Sequence, residues 1–291
     1  MLAWGDEHGL RIWNVATGQV TLLAAIQVVG RPGWSPDGSE ITFLDSQSRL
    51  LRTVNVQSDV TTPPAILYDG PDGAIRPPIM TRGGPAWSPD GLRIAFICWD
   101  GQGDELCVYD AGADSRQQVT TLGGAEAEST SMARSSVTGM AWSPDGTALA
   151  VTVQAEEKGA TSGIFRVELA ARSGTRLTKT TVNAPIVWEA ATGDLIYSAS
   201  VEGRSDVYRL AAEGGKPSAI TQALADGARE PAIDGAGSVA AVSGKRIAVL
   251  RPGSDWVILE EPGLVCAAPA LSADGKHLAY LALPHPIERY P

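Results

Sequence analysis

Three histidines, His8, His277 and His285, make up the whole imidazole complement of this 291-residue chain. No two of them stand at the spacing of a zinc pair, and His285 lies between two prolines, so all three read as surface or loop side chains. The sequence holds no Gly-x-Ser-x-Gly elbow, no P-loop and no dinucleotide fingerprint. Ser35, Ser88 and Ser143 each occur in the same short segment, Trp-Ser-Pro-Asp-Gly, and a serine repeated in that way is turn chemistry and not a nucleophile. Asp37, Asp90 and Asp145 of those segments offer the oxygen ligands that calcium takes. They come once per repeat, which is expected to hold them far apart, and they read as turn caps. Asp100, Asp104 and Glu105 fall close together, where a solvated hairpin loop accounts for them better than a cation site. No catalytic residue, metal or cofactor is therefore expected.

The elements that carry these residues are set by an internal repeat. Pro32 to Phe43, PGWSPDGSEITF, recurs from Pro85 to Phe96 as PAWSPDGLRIAF and from Trp142 to Val151 as WSPDGTALAV. Weaker copies follow at Trp188–Tyr197, Pro231–Val242 and Pro269–Tyr280. The tryptophan-equivalent positions are separated by 53, 55, 46, 45 and 38 residues, room for four short strands and their turns. Pro-Asp-Gly between apolar runs is a tight turn: proline presets φ, aspartate caps its own backbone and glycine accepts positive φ. The alternation that follows, as in Ile94-Ala95-Phe96-Ile97, is that of a strand. Glu105–Asp110 then reads as a third strand and Gln117–Leu122 as a fourth, an arrangement repeated by Asp206–Leu210 and Ser218–Thr221. Radial repetition of four-stranded sheets requires such a period, whereas a β-sandwich does not.

Trp-Ser-Pro-Asp-Gly followed by an Ile-Ala-Phe-like strand resembles the repeat of TolB-like, WD40-like (PD40) β-propellers, and the likeness runs from about Gly30 to Leu283. It implies one all-β propeller domain over residues 1–291, six-bladed, with the ring closed by N- and C-terminal strands. Leu2–Trp4, Leu10–Val15 and Thr21–Ala25 are the later strands of a unit, and the last copy supplies two more. That count is one strand too many, which leaves seven blades as the alternative. The resemblance makes Trp34, Trp87, Trp142 and Trp188 inter-blade packing residues. The same repeat occurs in the propellers of prolyl-oligopeptidase-type peptidases, which carry catalysis on a separate α/β-hydrolase domain. The chain ends eight residues past its last expected strand, so that chemistry is not expected in it. Related lyases use a histidine-containing metal site, a pattern from which the scattered histidines depart.

A formal charge of −10 repels phosphate backbones, and no Lys/Arg cluster overrides it, so nucleic acid is excluded as a partner. No apolar run reaches the roughly 20 residues of a membrane span, and the N-terminus has no signal-peptide pattern. The expected location is periplasmic or extracytoplasmic if a leader was removed, and cytoplasmic otherwise. Cys98 and Cys107 flank the segment 99–106. A hairpin centred between Gln102 and Gly103 would set them directly opposite each other, within disulfide reach, and would leave Cys266 unpaired.

In a propeller the Ser-Pro-Asp-Gly turns occupy one face, while the connections between strands two and three and between blades occupy the other. Two long connections, 62–84 and 123–136, join the second face with 99–104 and 154–163. The recognition surface is expected there, around Arg76, Arg82, Trp99, Asp100, Met132 and Arg134. The function that follows is a non-catalytic, monomeric, bacterial scaffold that binds a protein partner. The competing readings are a propeller domain of a larger peptidase or sensor, and a lyase or hydrolase that holds a small molecule in the central channel.

Overall fold

The computed structural model describes residues 1–48, 50–68, 84–99, 104–120, 135–155, 162–180 and 182–284. Within them the regular structure is entirely β, and it divides into two compact units, Met1–Arg176 and Leu177–Pro291.

The first unit opens with a three-stranded antiparallel sheet, β1 (Leu2–Asp6), β2 (Gly9–Asn14) and β3 (Gln19–Ala24). Three four-stranded sheets follow. The first holds β4 (Val28–Trp34), β5 (Glu40–Asp45), β6 (Leu51–Asn55) and β7 (Ala65–Tyr68). The next holds β8 (Ala86–Trp87), β9 (Arg93–Trp99), β10 (Asp104–Asp110) and β11 (Ser115–Gln118). The third holds β12 (Ser135–Trp142), β13 (Ala148–Ala155), β14 (Gly163–Glu168) and β15 (Ser173–Thr178). In the second unit β16 (Val182–Trp188), β17 (Leu195–Val201), β18 (Arg204–Leu210) and β19 (Ser218–Ala219) form one sheet. Another is made by β20 (Arg229–Ile233), β21 (Val239–Ser243), β22 (Arg246–Leu250) and β23 (Val257–Leu259). The last, two-stranded sheet pairs β24 (Leu264–Leu271) with β25 (Leu278–Pro284). The fold is the six-bladed propeller that the repeat implies, with five complete four-stranded blades and shorter sheets of three and two strands at the two ends of the chain. The fourth strand of the second complete blade is shorter than its sequence suggested, ending at Gln118 and not Leu122.

The core lies between blades and not within them. Leu10, Ile12 and Leu23 of the first sheet bury against Ile41, Phe43 and Val54 of the next, with Trp34 packed alongside. Leu44 and Leu51 meet Phe96, Cys98 and Cys107 in a second layer that takes Trp87. Ile97, Leu106 and Val108 meet Val151, Phe165 and Trp142 in a third. The second unit repeats the scheme with Ile196 and Val207 against Ala241 and Ala248, then Val242 and Ile247 against Cys266 and Leu278. A complete blade is thus apolar on both faces, which is why its central strands read as nearly continuous hydrophobic runs. Each fully buried Phe or Leu contributes about 1.5–3 kcal/mol.

First strands of successive blades lie side by side within each unit. Most carry a β-bulge at one recurring place: between Val29 and Gly33, Val137 and Gly139, Asn183 and Ile186, Arg229 and Ala232, and Ala267 and Ala270. Pro32, Pro185, Pro231 and Pro269 stand in four of them. Proline has no N–H to give a ladder, so a bulged edge strand is where a sheet tolerates it.

Candidate functional site

The repeated turn is a closed hydrogen-bond network. The Ser35 hydroxyl donates to Asp37 Oδ1 at 2.6 Å, that oxygen accepts from Ser39 N at 3.0 Å, and Ser35 Oγ accepts from Glu40 N at 2.9 Å. The same bonds recur at Ser88 and Asp90, at Ser143 and Asp145, and at Ser272 and Asp274. Donation by the serine hydroxyl first, then by the backbone N–H two residues on, holds each of these four aspartates at about 2. The carboxylates that accept from these serines are held at about 2 and are therefore weak bases. These side chains cap turns, as their repetition implied.

They are not, however, isolated around the fold. Gly146 lies so near the preceding blade that a Cβ there would sit 2.9 Å from Arg93 Nη2 and 3.9 Å from Asp90 Oδ2. In the second unit Gly237 sits in the same way against Glu189. Turns of neighbouring blades interlock because wedge-shaped packing brings them together at the first strands. Arg93, paired with Asp90 at 2.8 Å, lies over the Trp142 ring, 5.0 Å from its centroid. Trp142 Nε1 in turn donates to Ala86 O of the neighbouring blade at 2.8 Å. The tryptophans of the motif are therefore staples between blades, as expected of Trp34, Trp87 and Trp142. Trp188 Nε1 donates to Gly193 O of its own turn at 2.7 Å.

Chain direction puts the opposite ends of the blades together. Each second strand runs away from its Ser-Pro-Asp-Gly turn, so in the first unit β9 and β13 end, and β8 and β12 begin, at the ends of their blades opposite those turns. Arg76, Arg82, Asp100, Met132 and Arg134 lie outside the described residues, and Trp99 is described only as the backbone end of β9.

The strands on either side of residues 100–103 are described. Cys98 and Cys107 form a disulfide, with Cα atoms 5.8 Å apart. Their register differs from expectation: Cys98 faces Glu105 and Cys107 faces Phe96. The cysteines are diagonal neighbours on one sheet face, because the register of β10 on β9 is offset by two residues from the one that would oppose them. Cys266 is free and buried.

Glu105 is a second correction. It is no loop carboxylate but a fully buried residue of β10 that accepts from Thr120 Oγ1 at 2.7 Å, while Thr120 Oγ1 accepts from Leu106 N at 2.9 Å. The same device recurs in the second unit. Thr221 donates to Asp206 at 2.8 Å and accepts from Val207 N at 3.0 Å. Arg204 there bridges Asp206 and the Leu224 carbonyl, both at 2.7 Å. Burial pushes the Asp206 carboxyl up, but the bonds from Arg204 and Thr221 outweigh it and leave it below its ordinary value. These locks tie the third strand of a blade to the connection that leaves it. Sequence reasoning missed them, although a signal was present: acid and threonine are 15 residues apart in both cases. His8 and His277 are exposed, and among the described residues no three His, Cys, Asp or Glu side chains converge as a metal site.

Residues 74–251, more than half of the chain, match the family model of the TolB β-propeller domain. The chain belongs to this family. A putative TolB from Agrobacterium tumefaciens has the same fold, with a TM-score of 0.63 over 94% of this chain and 98% of that one at 17% identity. Among curated relatives, an uncharacterized peptidase, YuxL, of Bacillus subtilis is 31% identical over 140 residues, 46% of this chain and 19% of that protein. The Tol-Pal system protein TolB of Mannheimia succiniciproducens is 40% identical over 47 residues, 16% of this chain and 10% of that protein. The chain thus matches less than a fifth of the length of either curated relative. In this TolB-type propeller the repeated motif residues make the frame.

Proposed function

We propose that the chain is a non-catalytic, monomeric propeller domain that binds a protein partner on the connection side of its first unit, through Arg76, Arg82, Trp99, Asp100, Met132 and Arg134. One observation carries the reading: the hairpin that bears Trp99 and Asp100 is fastened at its base by the Cys98–Cys107 disulfide and beside it by the buried Glu105–Thr120 lock. A fixed base lowers the ordering cost of binding through the hairpin above it. The motif serines and aspartates are engaged in turn hydrogen bonds, which supports a framework role for them. The disulfide also favours an oxidising, extracytoplasmic location, since cytosolic thiols are kept reduced. The Tol-Pal system relative is consistent with a partner that is itself a protein.

Photo-crosslinking amino acids at positions 82, 99 and 134, with one at exposed Leu92 beside a Ser-Pro-Asp-Gly turn as control, test this in the native host. The reading requires one common adduct from the first three and none from position 92. Equal labelling at position 92, or no adduct at the first three, overturns it. A second reading, a propeller domain of a larger peptidase, is favoured by the 31% identity to YuxL over 140 residues. A hydrolase domain encoded in the same reading frame would establish it.

A further inference from the structure

The second unit contains a depression of about 290 Å³ that the partner-binding reading does not use. One wall is the β21–β22 hairpin with Lys245 and Arg246, and the other is the link from β23 to β24 with Glu260, Glu261, Gly263 and Leu264. Both walls are held by backbone bonds: Cys266 N donates to the Lys245 carbonyl at 2.9 Å, and Leu264 N to the Glu261 carbonyl at 3.1 Å. The shape is therefore formed in advance of any occupant.

The four charges around it are not equivalent. Arg246 is committed to Asp226, with Nη2 and Oδ2 3.0 Å apart. Glu261 accepts from the Tyr280 hydroxyl at 2.6 Å. Lys245 and Glu260 remain, exposed and without an ion-pair partner among the described residues, one on each wall of the same depression. Two free opposite charges that border one cavity and do not meet each other fit an occupant that carries both signs itself. With two cations and two carboxylates in the lining, a simple anion or cation gains no net preference. A zwitterion gains at both ends, and its zero net charge removes the repulsion expected for anions from a chain of charge −10.

We propose that this depression binds a small zwitterion of the α-amino acid or dipeptide class. Its carboxylate faces Lys245, its ammonium faces Glu260, and its side chain lies over Gly263 and Leu264. The charged groups stay solvent-accessible, so the affinity is modest, a dissociation constant of about 1 mM.

Titrations of the full chain followed by amide NMR test it, with leucine and leucylglycine as probes and with N-acetylleucine and leucinamide as single-charge controls. The expected result is saturable shifts at residues 243–246 and 260–264 for leucine or leucylglycine, with each control at least about fivefold weaker. Lys245→Gln should weaken leucine about fivefold and leave leucinamide unchanged, while Glu260→Gln should weaken leucine and leave N-acetylleucine unchanged. Both positions are exposed, and an unchanged melting temperature verifies that the variants are folded. No saturable shift at these residues with either probe, controls that bind as well as the probes, or variants that bind leucine as wild type does would each overturn the proposal. The crosslinking test of partner binding probes the first unit, so the two readings fail separately.

Discussion

Breaking the Cys98–Cys107 bridge isolates what that crosslink contributes to the first unit. The cysteines are 9 residues apart in sequence, and a loop of that length costs the unfolded chain about 2.6 kcal/mol of closure entropy at 25 °C. Reduction keeps every atom except the bond, so no void term enters, unlike Cys98→Ala or Cys107→Ala at sites 2% and 0% exposed. Equilibrium urea unfolding with and without a phosphine reductant, read by tryptophan fluorescence, is the assay. For a slope of about 2–3 kcal/mol/M the midpoint should fall by about 1 M on reduction. Thiol counting in denaturant without reductant should find one free thiol, that of Cys266. Coincident midpoints would refute the stabilisation argued from loop closure, and three free thiols would refute the disulfide itself.

Thr221→Val keeps the shape but leaves Asp206 and the Val207 N–H short of a partner in the interior, and should cost about 1–3 kcal/mol in thermal or chemical unfolding. Trp142→Phe removes the bond to the Ala86 carbonyl and weakens the stacking under Arg93, a loss of about 1–2 kcal/mol by the same measurement. The turn aspartates Asp37, Asp90, Asp145 and Asp274 titrate at about 2 when folded, against an ordinary value of 3.8. As pH falls the unfolded chain therefore takes up protons first. Their stabilisation is complete above the ordinary value and is lost as pH drops from there toward about 2. Melting temperatures across that acid range should fall less steeply for Asp90→Asn than for wild type, and equal slopes would contradict the assignment.

Much of this protein was legible in its residues alone. Trp-Ser-Pro-Asp-Gly encodes a turn whose bonds close within a few residues, so Ser35, Asp37 and Gly38 specify their geometry without help from the rest of the chain. Repetition of that local signal fixed the blades, and through them the fold. The tertiary structure decided what depends on distant partners. The register of β9 on β10 is set by which side chains reach the layer shared with the neighbouring blade, and it made the cysteines diagonal instead of opposed. Glu105 reads as a loop acid by its neighbours in sequence, yet Thr120, brought alongside by the fourth strand, satisfies it in the interior. Interlocking turns and the depression between Lys245 and Glu260 likewise arise only when separate hairpins pack. Short-range hydrogen bonding is written in the order of residues, whereas burial and long-range pairing are properties of the packed sheets.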